Sequence, residues 1–341
     1  MITLDTIRKY APTFYLNAYD NHRPTSVEKF LAQTSLMDAG GHVIAVEATP
    51  EVMAAHASGG SYLAPADGKF PTADNEFESG DAVVDSGTAG LGRVDAPVYV
   101  KVFDDGKHVD LKYFTFYAWN GFQASQAGIL TGQETTPYNF AWAQFSRHYG
   151  DWEHVTVRIT EDHSRIIGVY YSQHSGGQWT THPSMDGTHP ISYVGWNSHA
   201  NYPTAGIHEI KTTLPPPGIP PVSWLKAVDI TTNSGAFAVY HKPVKFYPNG
   251  VIWTPWRSDR QLVQLDHDAK AAQWLTFEGR WGPKRTTKIE APPNLPGNAH
   301  ELLKSLAEKS KSTGDLDQYL HEDGPLGPSE LNWRAPSEAG P

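Results

Sequence analysis

Residues 147–160 read RHYGDWEHVTVRIT, a segment that joins a turn-forming glycine to a run of β-branched residues. Valine, threonine and isoleucine dominate its second half, which favours an extended strand. Successive side chains of a strand point to opposite faces of the sheet. The segment therefore predicts a strand on which Asp151 and Glu153 share one face, while Trp152 and His154 share the other.

Similar short runs recur along the chain, each β-branched or aromatic and bounded by Gly, Pro, Asn or Asp. They cover residues 98–103, 111–119, 154–160, 166–171, 191–194, 237–240 and 251–253. The composition agrees, because 12% aromatic residues together with 30 Gly and 26 Pro suit short strands joined by many turns. No helical periodicity of comparable strength separates the runs. We therefore predict an all-β fold, an antiparallel β-sandwich with long loops and a few short peripheral helices.

Two helical stretches are predicted. Ser26 is a good N-cap for a short helix that runs through Leu31, and Asn298 is a good N-cap for the segment AHELLKSLAEKS. The leucines of the second segment form one apolar stripe, as expected of a helix that packs on a larger body.

Three stretches lack any regular periodicity, namely residues 54–92, 213–221 and 314–341. The first is rich in small and polar residues and the second has a PPPGIPP core, which indicate a surface excursion and a polyproline bridge. We predict a single sandwich domain over residues 1–290, with an irregular excursion at about 54–92, and a C-terminal helix and docking tail over residues 291–341.

Length and charge exclude several classes of protein. The 341 residues are 39% hydrophobic and carry a formal net charge of −10, which argues against general affinity for nucleic acid. The chain has no cysteine, so disulfides, zinc–thiolate sites and thiol nucleophiles are excluded. It also lacks an apolar run long enough to span a bilayer, and its start, MITLDTIRKY, lacks the order of a signal peptide. We expect no transmembrane segment, and a location in the cytoplasm or at the periphery of internal membranes.

The densest group of potential metal ligands lies at the beginning of the predicted strand. Asp151 and Glu153 share a face, and Gly150 permits a turn that brings His148 to the same side. Asn120, just after an aromatic strand, adds a carbonyl oxygen. Two carboxylates with one histidine favour Ca²⁺, Mg²⁺ or Mn²⁺ over Zn²⁺, which usually takes more nitrogen or sulfur ligands.

Further polar and aromatic residues lie near the ends of strands, where binding groups are often mounted. His174 and His199 are the candidates for a general acid or base if the protein is an enzyme. We assign other binding roles to Trp152, His154, Ser175 and Asn201.

The same residues also have purely structural interpretations. Asp151 and Glu153 can pair with Arg147 and Arg158 on a solvated strand face. Single histidines are usually hydrogen-bonded structural residues, and tryptophans are more often core residues than binding platforms. These interpretations stay open at the level of sequence.

Motifs of other chemistries are absent from the sequence. Ser175 follows His174 directly, but neighbouring residues of a strand point apart and no G-x-S-x-G motif is present. There is no G-x-x-x-x-G-K-[ST] phosphate loop and no G-x-G-x-x-G fingerprint, so a nucleotide cofactor is not expected.

The chain resembles the vacuolar protein sorting-associated protein 62 family, in which plant relatives are known mainly as a domain of unknown function. The matching segments follow one another across nearly the whole chain: YAP at 10–12, PTSV at 24–27, VYVK at 98–101, GDWEHVT at 150–156, YSQHSGG at 171–177, HANYP at 199–203, WGPK at 281–284, and GP at 324–325 and 327–328. The family name implies an association with trafficking and supplies no molecular mechanism.

A second, local resemblance is chemically more specific. His148, Asp151 and Glu153 match the ligand positions in the heptapeptide G-H-R-H-D-W-E of the necrosis- and ethylene-inducing peptide-like cytolysins. This resemblance implies a β-sandwich that holds a divalent cation through these three side chains, where the ion helps to engage a lipid headgroup. The chain has no cysteine for the disulfides of those proteins, so toxicity is not carried over.

Two functional hypotheses follow. The first is a non-enzymatic, divalent-metal-assisted recognition module that binds a polar headgroup, a glycan or a protein partner, with a connection to trafficking. The alternative is a metal-dependent hydrolase or lyase in which His174 or His199 transfers a proton. A cation that only joins the two sheets is a third, structural possibility.

Overall fold

A computed structural model describes most of the first 284 residues and one later segment. The described ranges are 2–17, 20, 22–56, 60–68, 94–121, 123–131, 134–142, 147–174, 176–213, 222–231, 251–258, 260–284 and 323–328.

Strands outnumber helices in these ranges. The strands are β1 (Thr13–Leu16), β2 (Thr34–Met37), β3 (Val43–Ala45), β4 (Tyr62–Pro65), β5 (Val98–Asp104), β6 (His108–Asn120), β7 (Gln123–Thr131), β8 (Glu134–Trp142), β9 (His148–Thr160), β10 (Ile166–Gln173), β11 (Gly176–Thr180), β12 (Met185–Asp186), β13 (His189–Val194), β14 (Asn201–Tyr202), β15 (Gly206–Thr213), β16 (Val222–Thr231), β17 (Val251–Trp253) and β18 (Leu262–Gln264). The helices are α1 (Leu4–Tyr10), α2 (Val27–Leu31), α3 (Pro50–Ala55) and α4 (Ala269–Trp274), with a short 3₁₀ turn at Pro255–Arg257.

The largest sheet has six strands in the order β11-β10-β9-β6-β5-β18. Its centre is the antiparallel pair β6 and β9, which stay in register from His108 opposite Thr160 to Asn120 opposite His148. Both strands are buried along almost their whole length. The segment that carries the predicted ligands is therefore a central strand, held on both sides by neighbours.

The remaining strands form three smaller sheets. One has the order β12-β13-β1-β17 with β14 paired to β13, another the order β15-β16-β7-β8, and the third the order β3-β2-β4. Most pairs are antiparallel, as predicted, but β1 runs parallel to β13 and β18 runs parallel to β5. Parallel neighbours need long connections, and both of these pairs join segments far apart in the chain.

Two clusters of buried side chains lie on opposite faces of β9. The first, which we call the inner core, takes Val155, Val157 and Ile159 from β9 and also Phe14, Val194 and Trp253 from the five-stranded sheet. The second, which we call the aromatic core, includes Phe30, Phe116, Trp152, Trp274 and Trp281. Asp151 and Glu153 have the same strand parity as the inner-core residues, so the polar site continues that face toward the start of the strand.

The predicted secondary structure is largely confirmed where it can be compared. Each of the runs 98–103, 111–119, 154–160, 166–171, 191–194 and 251–253 falls within a strand, and Ser26 caps α2 by accepting a hydrogen bond from the Lys29 amide. The structure adds α1, α3 and α4 as well as the hairpin β7–β8. The excursion predicted at 54–92 contains the strand β4.

Several predicted features lie outside the described residues. These are the strand at 237–240, the helix after Asn298, the proline-rich segment 214–221 and the tail beyond residue 328. The two-part division of the chain at residue 290 stays a prediction. Among the helices of the described ranges, none has the length and apolar character that crossing a bilayer requires.

Candidate functional site

Gly150 introduces a turn within β9 just before the two carboxylates. Its φ angle is +69°, in the left-handed region that glycine adopts without strain. Beyond this turn the strand is regular, and Asp151 and Glu153 are both at least nine-tenths buried. The predicted alternation is therefore present, and it directs two acidic side chains into the same part of the interior.

Asp151 is bound by a histidine from the loop between β13 and β14. His199 Nδ1 donates to Asp151 Oδ2 over 2.8 Å, and the ring is fully buried. Its Nε2 lies 3.2 Å from the carbonyl oxygen of His22 and 3.5 Å from Asp20 Oδ2. The ring also stacks flat on Tyr117, with centroids 3.7 Å apart.

The two carboxylates determine the charge of His199. Burial alone lowers the pKa of His199, but the charge of Asp20 and the hydrogen bonds to Asp151 and Asp20 raise it to about 9. At neutral pH the ring is thus an imidazolium that bridges two buried carboxylates. A ring held this way is suited to fix Asp151 in place, and the general acid or base role of His199 stays a prediction.

Glu153 does not ionise readily. Burial, and next the negative charge of Asp151, raise the pKa of Glu153 well above its usual range. The Ser172 hydroxyl on β10 bonds to Glu153 Oε2. Two adjacent buried acids thus share a face on which a second negative charge is unfavourable without a cation or a proton.

His148 points its ring toward Asp151. Nδ1 lies 2.7 Å from the carbonyl oxygen of Gly150, which can only accept, so a neutral ring donates from Nδ1 and keeps a lone pair on Nε2. Burial lowers the pKa of His148, which favours that neutral form. Nε2 is 3.9 Å from Asp151 Oδ1, and 20% of the side chain is exposed. His148 therefore presents a free lone pair beside a carboxylate.

His174 forms a second carboxylate–histidine pair at the end of β10. Its Nε2 lies 2.7 Å from Asp229 Oδ2, and the Tyr202 hydroxyl donates to the same oxygen over 2.6 Å. Burial alone lowers the pKa of His174, but the charge of Asp229 and the hydrogen bond to it raise it to about 9. About 30% of the side chain is exposed, whereas Asp229 is fully buried.

We expect the stabilisation from His174 to depend on pH. Because the folded-state pKa is raised from 6.5 to about 9, the contribution is fully present below pH 6.5 and is lost as the pH rises through about 9. The difference in free energy of unfolding between wild type and His174→Gln should shrink over that window in urea titrations. His182→Gln is the control, since the His182 ring bonds to the Thr181 hydroxyl rather than to a carboxylate. A difference that is constant from pH 6 to pH 10 would contradict the charged pair.

The other predicted site residues lie in different parts of the fold. Asn120 lies opposite His148 in the register of β6 and β9. Asn201 is buried beside the inner core, where its Oδ1 accepts from Ser192 and its Nδ2 has no hydrogen-bond partner among the described residues. Trp152 and His154 lie on the opposite face, as their parity predicts. Ser175 is outside the described residues.

Arg158, one of the two arginines in the structural interpretation, pairs with a different carboxylate, that of Asp110. Arg158 forms a two-pronged salt bridge with Asp110, with distances of 2.7 and 2.8 Å. Its guanidinium also lies over the ring of Trp179, on the face away from the carboxylates. The imidazole of His199 contacts Asp151, and the imidazole of His174 contacts Asp229.

Sequence reasoning missed Asp20, Asp229, Tyr202 and Ser172. Asp20 and Asp229 lie in unremarkable local sequence and reach the site only through tertiary folding. Burial by itself raises the pKa of each acid, but the adjacent histidine, His199 for Asp20 and His174 for Asp229, lowers it below its usual range. Tyr202 belongs to the HANYP segment, which the family resemblance already marked.

The donor chemistry of this region suits a hard divalent cation. Two carboxylates and a neutral imidazole with a free lone pair are the ligand types that Ca²⁺, Mg²⁺ and Mn²⁺ accept. Within the part of the chain that the structure describes, no group of three or more acidic or histidine side chains has the spacing of a formed metal site. The residues fit such an ion by their chemistry, and Glu153 would have to exchange its bond to Ser172 for one to the ion.

The sequence of this chain is similar to that of a known protein family. The sequence model of a family described as vacuolar protein sorting-associated protein 62 matches residues 3–213. A curated relative of that name from Saccharomyces cerevisiae is 21% identical, over 81% of this chain and 58% of the relative. The chain thus spans little more than half the length of the relative it matches.

Similar solved structures belong to the class that the local sequence resembles. Necrosis and Ethylene inducing Protein 2, from the causal agent of cocoa's Witches Broom disease, is 18% identical with a TM-score of 0.29, covering 59% of this chain and 68% of that one. The non-toxic HaNLP3 protein is 16% identical with a TM-score of 0.30, covering 70% and 76%.

Proposed function

The chain belongs to the vacuolar protein sorting-associated protein 62 family, and from this membership together with the site geometry we propose that it is a divalent-metal-assisted recognition module. Its ligand is a polar headgroup, a glycan or a protein partner that takes a remaining coordination position of the ion. The family name supports a role in vacuolar sorting, and a location in the cytoplasm or at internal membranes agrees with that role. We further propose that the two sheets sharing the inner core stack as a β-sandwich.

The observation that carries the proposal is the orientation of His148. Metal-binding histidines commonly donate one ring nitrogen to a backbone carbonyl, which fixes the tautomer and leaves the other nitrogen for the ion. His148 has this arrangement, with Nδ1 at the Gly150 carbonyl and Nε2 facing Asp151. Partial exposure of the same ring opens the position to solvent.

The acidic pair supplies the second support. His148, Asp151 and Glu153 would hold the ion, with Asn120 adjacent in register. A bound divalent cation supplies positive charge that offsets the repulsion between the two carboxylates and presents an acceptor for the oxygen atoms of a ligand. The imidazolium of His199 keeps Asp151 oriented, and Ser172 holds Glu153 when the ion is absent.

We expect dialysed wild-type protein to bind about one equivalent of Mg²⁺, Ca²⁺ or Mn²⁺ in calorimetric titrations. Asp151→Asn and Glu153→Gln should each weaken binding at least about tenfold, because each substitution removes a charged ligand at nearly constant size. Asp162→Asn is the matched control, since Asp162 is a carboxylate in the exposed turn after β9. Retained affinity in both site variants, or no binding by wild type, would remove the proposal.

An enzymatic function is the second candidate, and the pair of His174 with Asp229 is the observation that favours it. A partly exposed imidazolium oriented by a buried carboxylate is suited to act as a general acid. His199 is fully buried between carboxylates and is less suited to reach a substrate. Loss of turnover in His174→Gln with cation affinity retained would favour the hydrolase or lyase. If chelation lowers only the melting temperature, the cation is structural.

A further inference from the structure

Residues 323–328, with the sequence DGPLGP, lie against the backbone that follows α4. The Trp281 amide donates to the Pro325 carbonyl over 2.8 Å, and the Gly324 amide donates to the Pro283 carbonyl over 3.1 Å. Arg280 Nη1 donates to the Gly324 carbonyl over 2.9 Å. The segment thus makes backbone contacts on both sides of Gly282, although about 40 residues separate the two in the chain.

Three backbone segments pack against one another here, around Gly324, Gly282 and Gly150, and none of these positions has room for a side chain. A Cβ at Gly324 would lie 2.1 Å from Gly282 Cα. A Cβ at Gly282 would lie 2.2 Å from the Tyr149 carbonyl oxygen, and one at Gly150 would lie 2.5 Å from the Trp281 carbonyl oxygen. Segment 323–328 therefore packs on one side of residues 281–282, and the turn at 149–150 packs on the other side.

That turn is the part of β9 that positions the proposed ligands. The Gly150 carbonyl accepts from His148 Nδ1, so the position of this carbonyl sets the direction of the imidazole. The Trp281 ring lies edge-on to Trp152, with centroids 5.1 Å apart at 90°. Trp281 therefore contacts Gly150 through its backbone and Trp152 through its ring. These two residues flank Asp151 in the chain.

We propose that segment 323–328 is a positioning clasp for the cation site, which acts by holding Trp281 and Gly282 against the turn at Gly150. This inference rests on the proposed function as far as cation affinity is concerned. The effect of segment 323–328 on the turn at 149–150 does not require an ion, because it acts through backbone contacts alone. Segment 323–328 thereby determines the geometry of a site formed by residues 148–153, far earlier in the chain.

The full chain carrying Gly324→Ala tests the clasp. The added methyl group meets backbone atoms of Gly282 that cannot turn aside, so the segment must lift. We expect hydrogen–deuterium exchange of the amides at 148–152 to accelerate roughly tenfold or more, with exchange in β5 and β10 unchanged. Mn²⁺ affinity, measured by calorimetry, should fall roughly tenfold.

Leu326→Ala is the matched control, because it alters the same segment at a side chain that is 37% exposed and leaves the backbone contacts intact. Should Gly324→Ala fail to fold, Arg280→Gln removes the bond to the Gly324 carbonyl without a clash and should accelerate the same amides. Faster exchange confined to 280–283 and 323–328 would overturn the clasp. A wild type that binds no Mn²⁺ would remove the proposed function, while the exchange result would still decide the clasp.

Discussion

Replacement of His199 by alanine should lower the free energy of unfolding by about 3–5 kcal/mol. The substitution leaves Asp20 and Asp151 buried without the imidazolium that bridges them. It also removes a ring that stacks on Tyr117 at 3.7 Å. Removing one partner of a buried ion pair strongly lowers the free energy of unfolding, because the charge that remains is still desolvated and has lost the opposite charge that compensated it.

Urea titration at pH 7 measures this effect, and His189→Ala is the matched control. His189 also stacks flat on an aromatic ring, Trp256, with centroids 3.8 Å apart, but its Nδ1 bonds to the Ala11 carbonyl rather than to a carboxylate. We expect the control to lose no more than about 1–2 kcal/mol. Equal losses in the two variants would show that stacking, rather than the carboxylate bridge, accounts for the stability of His199.

Trp152→Ala should destabilise the fold by about 3–5 kcal/mol, the usual range for removing a large aromatic side chain from a core. Trp152 is only 5% exposed and contacts Phe116, Trp274 and Trp281, with ring centroids between 4.6 and 5.6 Å apart. Its neighbours are themselves buried, so the cavity has little freedom to collapse. This expectation differs from the ligand-binding role assigned to Trp152 from sequence.

Thermal or urea unfolding measures the loss, and Trp179→Ala is the control. Trp179 is only partly buried and lies over the guanidinium of Arg158, so its truncation should cost about 1 kcal/mol or less. Trp152→Phe keeps an aromatic ring and should recover part of the stability. If Trp152→Ala instead keeps wild-type stability and loses only ligand binding, Trp152 is a binding residue after all.

The features that local sequence predicted correctly depend on interactions between near neighbours. The strand β9 and the division of its faces follow from the alternation of residues 151–160, which requires no knowledge of the rest of the chain. The cap at Ser26 is also local, since its side chain bonds three residues ahead. These elements could be predicted because the determining atoms lie within a few residues of each other.

The features that were missed depend on distant contacts or on elements too short for a periodic pattern. Asp20 and Asp229 meet His199 and His174 only after several sheets have assembled. The helices α1, α3 and α4 have six or seven residues each, which is less than two turns of apolar periodicity. Their N-caps, Thr3, Thr49 and Asp268, were present in the sequence, but a cap alone does not predict a helix.

The pairing of β1 affects how the protein is made. This strand, Thr13–Leu16, is synthesised long before its partners, which are residues 191–193 and 251–253. At about 5–20 residues per second, the first strand waits for tens of seconds before its second neighbour has been synthesised. During that interval Phe14 and Leu16 lack the strands that later cover them. Nascent chains should therefore depend on chaperones until translation passes residue 253, and synthesis rate should affect the yield of folded protein.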